Sequence, residues 1–399
     1  MTKSERMRAL AFLCLGHFLM DTVATFNMPL LPLYEGRFQL APLATGAIMV
    51  CSMLTASFTQ PLWGTLSDRM AKGRLVVIGP MITCIAVGLV GLVPSYGSLL
   101  LVVAVSGLGV AAFHPEATAL AGRVSAGEGA VGLSLFVVSG HLGLAGGPAL
   151  SGWLAETHGI EKSWWLVAPG LLLMSVVALG LRPSFRLLNA PVKQTTAAVA
   201  TPMNRTVWLL LIHATVRAFA GICFTVGLPF LFKADGMGEG AIGRYTGIFM
   251  FAGGVAGFSS SYLLRRGQER PWLIWTSAAS LPACLLLPVL PRGGPMILGL
   301  IVAGATLNAT VPMALGYAQR QLPGREGFAS SLMLGVSWGL GGALAPPVVR
   351  LFQDRLGEAP TLQLVALCLV ATAVPALLLP RAGGSEAAAA VEAHYNREN

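Results

Sequence analysis

Charged residues are scarce in this sequence. Asp, Glu, Lys and Arg make up 11% of the 399 residues, whereas 55% are hydrophobic, and the mean hydropathy is +0.71. Soluble proteins carry a charge at about a quarter of their positions. The shortage of charge and the long apolar runs exclude a soluble globular protein. They predict an all-α membrane protein that crosses the bilayer many times.

Sequence patterns for catalysis and for metal binding are missing as well. Outside the apolar segments there is no HExxH, no GxSxG and no paired carboxylate site, so we expect no enzymatic activity and no cofactor. The six cysteines all fall in apolar segments, one to a segment. This spacing is typical of buried free thiols and unlike a disulfide framework or a metal site.

The net charge is +9, and the positive residues are spread over short loops. This distribution excludes a nucleic-acid-binding surface and instead predicts how the chain is oriented in the membrane. If the N-terminus is cytoplasmic, the loops on that side and the two tails hold 18 of the 26 Lys and Arg residues. Positive residues accumulate on the cytoplasmic side of membrane proteins. We therefore predict a bacterial-type inner (plasma) membrane protein with both termini in the cytoplasm.

Twelve apolar segments are long enough to cross about 30 Å of hydrocarbon. They lie at roughly 9–33, 43–66, 75–93, 98–121, 130–154, 164–181, 206–232, 242–264, 272–290, 295–318, 328–350 and 361–380. We predict an N-terminal six-helix bundle (1–181), a cytoplasmic linker (182–204), a C-terminal six-helix bundle (205–381) and a polar cytoplasmic tail (382–399).

The two halves of the chain repeat each other. The stretch EGAVGLSLFVVSGHLGLAGGP at 128–148 aligns with EGFASSLMLGVSWGLGGALAP at 326–346, and His17 aligns with His213. Internal repeats in a twelve-helix membrane protein are typical of transporters that work by alternating access, with the binding site near the midplane. The sequence therefore predicts twelve transmembrane helices in two pseudo-symmetric six-helix bundles around a central site.

His17 and Asp21 lie four residues apart in the middle of the first segment, so they share one face of a helix. A charged side chain at the bilayer centre costs about 2.5–3.5 kcal/mol even on the most lenient scale. Two interpretations are open, a proton-coupling pair and a polar tie between helices. We favour proton coupling, because Ser or Asn would tie helices together at lower cost.

His213 and Arg217 repeat this spacing in the seventh segment, with a base where the first half has an acid. Pseudo-symmetry predicts that Asp21 and Arg217 face one cavity. Arginine does not deprotonate in proteins, so Arg217 needs Asp21, backbone carbonyls or an anionic substrate as its partner. The candidate substrate-binding residues are Arg217, His213, His141, Asn308 and Trp338.

His114 and Glu116 lie on the fourth segment, and both are candidates for proton coupling. Glu116 is about two turns from the cytoplasmic end of that segment. It is equally open to a structural role, in which it bonds to basic residues of the neighbouring loop.

A further group of residues is predicted to act in conformational change. The loop GTLSDR at 64–69 places an acid beside several cations, which suggests a charge latch at the cytoplasmic gate. In the fifth segment, small residues let helices approach closely and proline bends the span. These candidates are Gly64, Asp68, Arg69, Arg74, Gly143, Gly147 and Pro148.

The GTLSDR loop and the span-five glycines resemble motifs of the major facilitator superfamily. Val103 stands near the place where many drug–proton antiporters of that superfamily carry an arginine. A narrower resemblance, to the fosmidomycin-resistance branch, rests on GHFLMD (16–21), QPLWGTLSD (60–68) and GLGVAAFHPEATALA (107–121). This resemblance implies proton-driven efflux of drugs or related small molecules, with Asp21 and Glu116 at the branch's characteristic acidic positions.

We predict a secondary transporter that exports a small molecule or drug in exchange for protons. If Arg217 binds the substrate, the substrate is anionic and phosphonate-like. The proton gradient would supply the energy, the partners would be the substrate, protons and the lipid bilayer, and we expect a monomer. The alternative is a proton-coupled symporter that imports an organic acid or nutrient. The glycine–proline motif of the fifth segment favours export.

Overall fold

The computed structural model describes residues 2–69, 73–125, 130–188, 203–263, 268–322 and 325–380. Within these ranges the regular secondary structure is entirely helical, without a β-strand. The prediction of an all-α protein is therefore confirmed for the described part of the chain.

In the first half of the chain the described residues form eight α-helices. They are α1 (Lys3–Ala24), α2 (Leu31–Phe38), α3 (Pro42–Met53), α4 (Gln60–Arg69), α5 (Arg74–Leu89), α6 (Tyr96–Ser125), α7 (Ala130–His158) and α8 (Val167–Leu188). Two 3-10 helices, Met28–Leu30 and Ile160–Leu166, and a π-helical segment, Leu54–Phe58, lie between them.

The described part of the second half contains nine α-helices. They are α9 (Arg205–Ala234), α10 (Glu239–Leu263), α11 (Glu269–Leu286), α12 (Gly294–Asn308), α13 (Val311–Gln321), α14 (Glu326–Ser330), α15 (Ser337–Leu356), α16 (Glu358–Leu367) and α17 (Val370–Leu378). A 3-10 helix, Leu287–Val289, follows α11, and a π-helical segment, Ser331–Val336, joins α14 to α15.

Ten helical stretches in the described ranges are long and apolar enough to cross a membrane. Each of the twelve predicted segments coincides with helix, but α5, which has 16 residues, and α10 are not among the ten. The chain is thus a polytopic membrane protein, and the number of twelve spans stays a prediction.

The predicted linker and tail fall mostly outside the described residues. Helix α8 continues to Leu188, inside the predicted linker (182–204), where Arg186, Leu187 and Leu188 are residue types that favour helix. Residues 189–202 and the predicted tail lie outside the described ranges, so the proposed domain boundaries stay predictions.

The helix is interrupted between α12 and α13, and this break leaves backbone groups available to other parts of the protein. Helix α12 ends at Asn308, and α13 begins at Val311 with a proline, Pro312, in its first turn. Proline has no backbone N–H to continue a helical ladder, and the last carbonyls of a helix have no intrahelical donor. The end of α12 therefore offers carbonyl oxygens to other groups.

The buried cores show how the two halves meet. We call the side where α1 begins and α17 ends the terminal face, and the opposite side the distal face. One apolar cluster combines residues of both halves near the distal face, among them Leu31, Tyr34, Phe230 and Phe232. Near the terminal face each half has a core of its own. The halves are therefore packed together at the distal face and separate at the terminal face.

Two helix pairs form this distal contact, α3 with α15 and α7 with α10. Glycines permit the close approach: a Cβ atom on Gly46 would lie 3.0 Å from Cα of Pro347, and one on Gly243 would lie 3.0 Å from Cα of Gly152. Pro148, a predicted gate residue, lies inside α7 beside this second contact.

An ion pair between the halves strengthens the distal contact. Nη2 of Arg350 donates to the two carboxylate oxygens of Glu35 at 2.9 and 2.8 Å, and its Nη1 donates to Gln353 at 2.8 Å. The Arg350 guanidinium lies 3.4 Å from the centre of the Phe230 ring, and Thr45 donates to Glu35 at 2.7 Å. None of the sequence patterns described above predicts this ion pair.

Replacing Arg350 with Gln should loosen the distal contact. The change leaves the carboxylate of Glu35 without its cation, and hydrogen bonds to charged groups contribute about 1.5–3 kcal/mol each. In a background without native cysteines, Met28→Cys on the cavity wall should react about tenfold faster with a membrane-impermeant maleimide added to the distal side.

Arg292→Gln is the matched control for this experiment. Arg292 pairs with Asp235, and both belong to the second half, so its loss removes a distal ion pair without separating the halves. Equal labelling rates in the Arg350→Gln and Arg292→Gln variants would contradict the inter-half role of Arg350.

Candidate functional site

A cavity of about 900 Å³ lies between the two halves and reaches Gln60 and Ser125 near the terminal face. Seven residues that the sequence singles out line it: Asp21, His114, His141, His213, Arg217, Asn308 and Trp338. The first three come from the first half and the other four from the second. Acid and base thus face one cavity, as the internal repeat predicts.

Asp21 is held between two histidines. Its Oδ2 lies 3.2 Å from Nε2 of His17, and its Oδ1 lies 3.4 Å from Nε2 of His114. Asp21 and His17 are 6% and 8% exposed, and the His17 ring stacks on Phe136 with 4.1 Å between ring centres. Among the described residues these histidines are the ion-pair partners of Asp21. The static pair with Arg217 that the sequence left open is not formed.

The hydrogen bonds of His17 determine where a proton can reside. Its Nδ1 lies 2.8 Å from the carbonyl oxygen of Phe136. A carbonyl only accepts, so Nδ1 carries a hydrogen. A hydrogen bond between Nε2 and Asp21 then requires one further proton, either on Nε2 of His17 or on the carboxyl group. This pair is therefore built to share a single proton.

Glycines of α7 make room for this pair. A Cβ atom on Gly140 would lie 2.6 Å from Oδ2 of Asp21 and would also overlap the ring of His17, and one on Gly143 would lie 3.0 Å from Cβ of Asp21. Gly147 approaches α1 one turn further along. Sequence analysis names Gly143 and Gly147 and misses Gly140, although it continues the same glycine stripe.

Replacing Gly140 with Ala should displace the His17–Asp21 pair. Forcing a side chain into a packed interior typically costs about 1–3 kcal/mol, so the thermal unfolding temperature in detergent should fall. Gly36→Ala, in helix α2, is the matched control, because a Cβ atom there meets no other heavy atom within 4 Å. Equal unfolding temperatures for the two variants would contradict the tight fit at Gly140.

Arg217 is bound by the broken end of α12. Its Nη2 donates to the carbonyl oxygens of Thr306 and Leu307 and lies 3.4 Å from Oγ of Ser280. Arg217 is 4% exposed, and its Nε and Nη1 have no hydrogen-bond partner in the described structure. The backbone carbonyls that the sequence considered as partners thus satisfy only part of the guanidinium.

His213 lies one turn before Arg217 on α9. Its Nδ1 is 3.0 Å from the carbonyl oxygen of Thr372, so this nitrogen carries the hydrogen of the neutral ring. Nε2 has no partner in the described structure, and the side chain is 1% exposed. His213 therefore lines the cavity and has one buried ring nitrogen without a partner in the described structure.

The other predicted binding residues are more loosely tied to the site. Nδ1 of His141 donates to the Val137 carbonyl of its own helix at 2.9 Å, and Asn308 donates to the Gly304 carbonyl at 3.1 Å. Trp338 is 37% exposed. All three line the cavity without contributing to the Asp21 group.

Glu116 is engaged elsewhere. It is 2% exposed and is absent from the cavity wall. Its carboxylate accepts the backbone N–H groups of Gly73, Leu75 and Val76 at 2.6, 2.8 and 3.1 Å. An anion at the first turn of a helix satisfies unpaired N–H groups and the helix dipole. Glu116 thus holds the start of α5 through backbone groups, where the structural interpretation expected basic side chains.

Replacing Glu116 with Gln should destabilise the protein by about 1–3 kcal/mol, because the N–H groups at the start of α5 lose a charged acceptor. Unfolding in increasing fractions of denaturing detergent measures this change. The exposed Glu161→Gln is the control and should unfold like the parent protein. A Glu116→Gln protein that unfolds normally but transports without proton coupling would instead assign Glu116 to proton transfer.

The predicted gate residues are only partly described. A Cβ atom on Gly64 of α4 would lie 4.0 Å from Pro115 of α6, and Arg74 starts α5 with an exposed side chain. The side chains of Asp68 and Arg69 lie outside the described residues. Their charge latch stays a prediction.

One group of side chains could hold a metal ion. The donor atoms of His17, Asp21 and His114 all lie within 4.8 Å of one another, the single such group among the described residues. Two imidazoles and a carboxylate suit a divalent transition metal. The same groups also suit proton exchange, and transport assays at this site therefore need a chelator.

Sequence reasoning did not identify which main-chain groups take part in the site. The carbonyl oxygens of Phe136, Thr306 and Leu307 fix the orientation of His17 and Arg217. Pro312 is the one sequence signal for the carbonyl groups that bind Arg217, because a proline predicts a helix break with free carbonyls just before it.

Known transport proteins resemble this chain over most of its length. A family model described as Major Facilitator Superfamily matches residues 13–346. The chain is 28% identical over 354 residues to the fosmidomycin resistance protein of Escherichia coli, covering 87% of this chain and 86% of that protein. It is 24% identical over 329 residues to the multidrug resistance protein MdtG of Escherichia coli, covering 78% and 80% of the two chains.

A solved structure shares the fold. The crystal structure of a bacterial homologue of the human lysosomal transporter Spinster, in an inward-facing and unoccupied conformation, superimposes with a TM-score of 0.77. The alignment covers 95% of this chain and 97% of that one at 16% sequence identity. At this identity the similarity extends to the fold alone.

Proposed function

The chain belongs to the Major Facilitator Superfamily, and on that premise we propose that it exports a small molecule in exchange for protons by alternating access. The observation that carries the proposal is the Asp21 group at the cavity wall, where His17 and His114 flank a buried carboxylate. Relatives named for fosmidomycin resistance and multidrug resistance favour export over import by a symporter.

The proton is exchanged at Asp21. When Asp21 is ionised, the shared proton resides on His17, and the pair is neutral overall. A second proton, delivered through the cavity, leaves the group with a net positive charge. Moving one such charge through the membrane potential yields about 2.3 kcal/mol per 100 mV. Protonation of this group thus creates a net charge that the membrane potential can drive across the membrane.

Alternating access follows from the unequal packing of the two faces. The shared distal core and the Glu35–Arg350 pair close one side, and the separate terminal cores allow the other side to open. Rocking of the two halves about the cavity would close the terminal face and open the distal face. In this proposal α5 and α10 complete twelve spans in two pseudo-symmetric bundles.

We place the protein as a monomer in a bacterial inner membrane with the terminal face in the cytoplasm. The positive loops predict this orientation. The cavity then opens toward the cytoplasm, the side from which an exporter loads its substrate. No cofactor takes part in this mechanism.

Replacing Asp21 with Asn should abolish proton-coupled transport, because an amide cannot carry the exchanged proton. Proteoliposomes that contain a pH-sensitive dye and a chelator measure proton movement upon addition of a phosphonate, a cationic dye or a neutral antibiotic. Asp235→Asn is the control, since Asp235 pairs with Arg292 at the distal face. Unchanged proton movement in Asp21→Asn liposomes would refute the proposal.

A further inference from the structure

We propose that His17, Asp21 and His114 form a binding site for a divalent transition-metal ion such as Zn²⁺, which enters from the central cavity. The bound ion is an inhibitory ligand of the carrier and not a cofactor. Binding follows from the geometry of the three side chains, whereas the inhibition rests on the proposed function.

The first argument is the spacing of the donor atoms. The carboxylate oxygens of Asp21 lie 3.2 Å from Nε2 of His17 and 3.4 Å from Nε2 of His114. Charge-assisted hydrogen bonds between such groups are shorter, about 2.7–2.9 Å. Two ligands that each lie about 2.0–2.1 Å from a tetrahedral zinc ion are about 3.3 Å apart. The observed distances therefore match the spacing of metal ligands.

The second argument is the orientation of the His17 ring. Its Nδ1 donates to the Phe136 carbonyl at 2.8 Å, so the free electron pair of the neutral ring is on Nε2. This is the nitrogen that faces Asp21. Metal-binding histidines almost always donate their other ring N–H to a carbonyl, a carboxylate or water, which fixes the ring for the metal. The Phe136 carbonyl thus provides the support that His17 needs as a ligand.

The surroundings shield the group on one side and leave it accessible on the other. His17 stacks on Phe136 with 4.1 Å between ring centres, and the Phe113 ring lies 5.7 Å from His17 and 5.3 Å from His114. Asp21 and His114 line the cavity, and the His114 side chain is 27% exposed. An ion can therefore approach from the cavity, and water can fill the fourth position of a tetrahedral site.

The charge of a bound ion accounts for the inhibition. Coordination requires an ionised carboxylate and neutral imidazoles, so the shared proton is released into the cavity. A divalent ion then leaves the group with a single net positive charge, as does the uptake of a second proton. The ion thus imitates the proton-loaded group. Zn²⁺ should slow proton movement in proteoliposomes, and a chelator should restore it.

Binding is measured on the full-length protein in lipid nanodiscs, without a pH gradient and without a polyhistidine tag. A background without native cysteines prevents thiols from binding the ions. Titration calorimetry with Zn²⁺ should show a single bound ion per chain. Co²⁺ in its place should give the strong visible absorption of a four-coordinate ion, and Zn²⁺ should displace it.

Variants assign the ion to the three side chains. His17→Gln and His114→Gln should each weaken Zn²⁺ binding by about tenfold or more. His158→Gln is the matched control, because His158 is an exposed histidine outside the group, and its loss should leave the affinity unchanged. Thermal unfolding without metal verifies that each variant is folded.

A fourth variant tests coordination directly. Thiolates are zinc ligands, so His114→Cys should still bind Co²⁺ and should add a near-ultraviolet absorption band from charge transfer between sulfur and the metal. A purely structural role of His114 would not produce this band.

A parent protein that binds neither ion would overturn the inference, and so would binding that His17→Gln and His114→Gln both leave intact. Zn²⁺ binding that does not slow proton movement would overturn the inhibitory role. Normal proton movement in the presence of a chelator, without Zn²⁺ binding, would refute the metal site alone. Zn²⁺ binding by a protein that moves no protons would refute the proposed function alone.

Discussion

A charge inside a membrane protein must find its partner within the protein, because hydrocarbon offers none. The interior of this chain is arranged around that constraint. Asp21 lies between two histidines, Arg217 lies against the open end of α12, and Glu116 lies against the first turn of α5. Each of the three binds at least one group on another helix: Asp21 on α6, Arg217 on α12 and Glu116 on α5. The few buried charges therefore help to determine which helices pack together.

One turn of α6 connects two of these charged centres. His114 contacts Asp21, and Glu116, two residues later, binds the start of α5. Between them, Pro115 lies near Gly64 of α4. The proposed proton site and the terminal-face turn are thus attached to adjacent positions of a single helix.

Much of the fold and part of the site follow from local patterns. Long apolar runs predicted the helices because their length matches the bilayer, and the spacing of His17 and Asp21 placed them on one helix face. The repeat predicted that Asp21 and Arg217 face one cavity. The backbone partners of His17 and Arg217 did not follow, because Phe136, Thr306 and Leu307 contribute carbonyl groups, and every residue type has one of these. Nor did the pair of Glu35 with Arg350, since two charges near the ends of separate apolar segments carry no sign of mutual contact.

The sequence alone determined that this is a helical membrane protein, and it identified the few ionisable groups within the apolar segments, because hydrophobicity and charge are properties of single residues. Only the tertiary structure decided how those groups are used. In the folded protein Asp21 contacts two histidines, and Arg217 has N–H groups without an acceptor in the described structure. The physical reason is that a difference of a few tenths of an ångström in the donor–acceptor distance decides whether a hydrogen bond forms. The packing of the whole chain sets these distances.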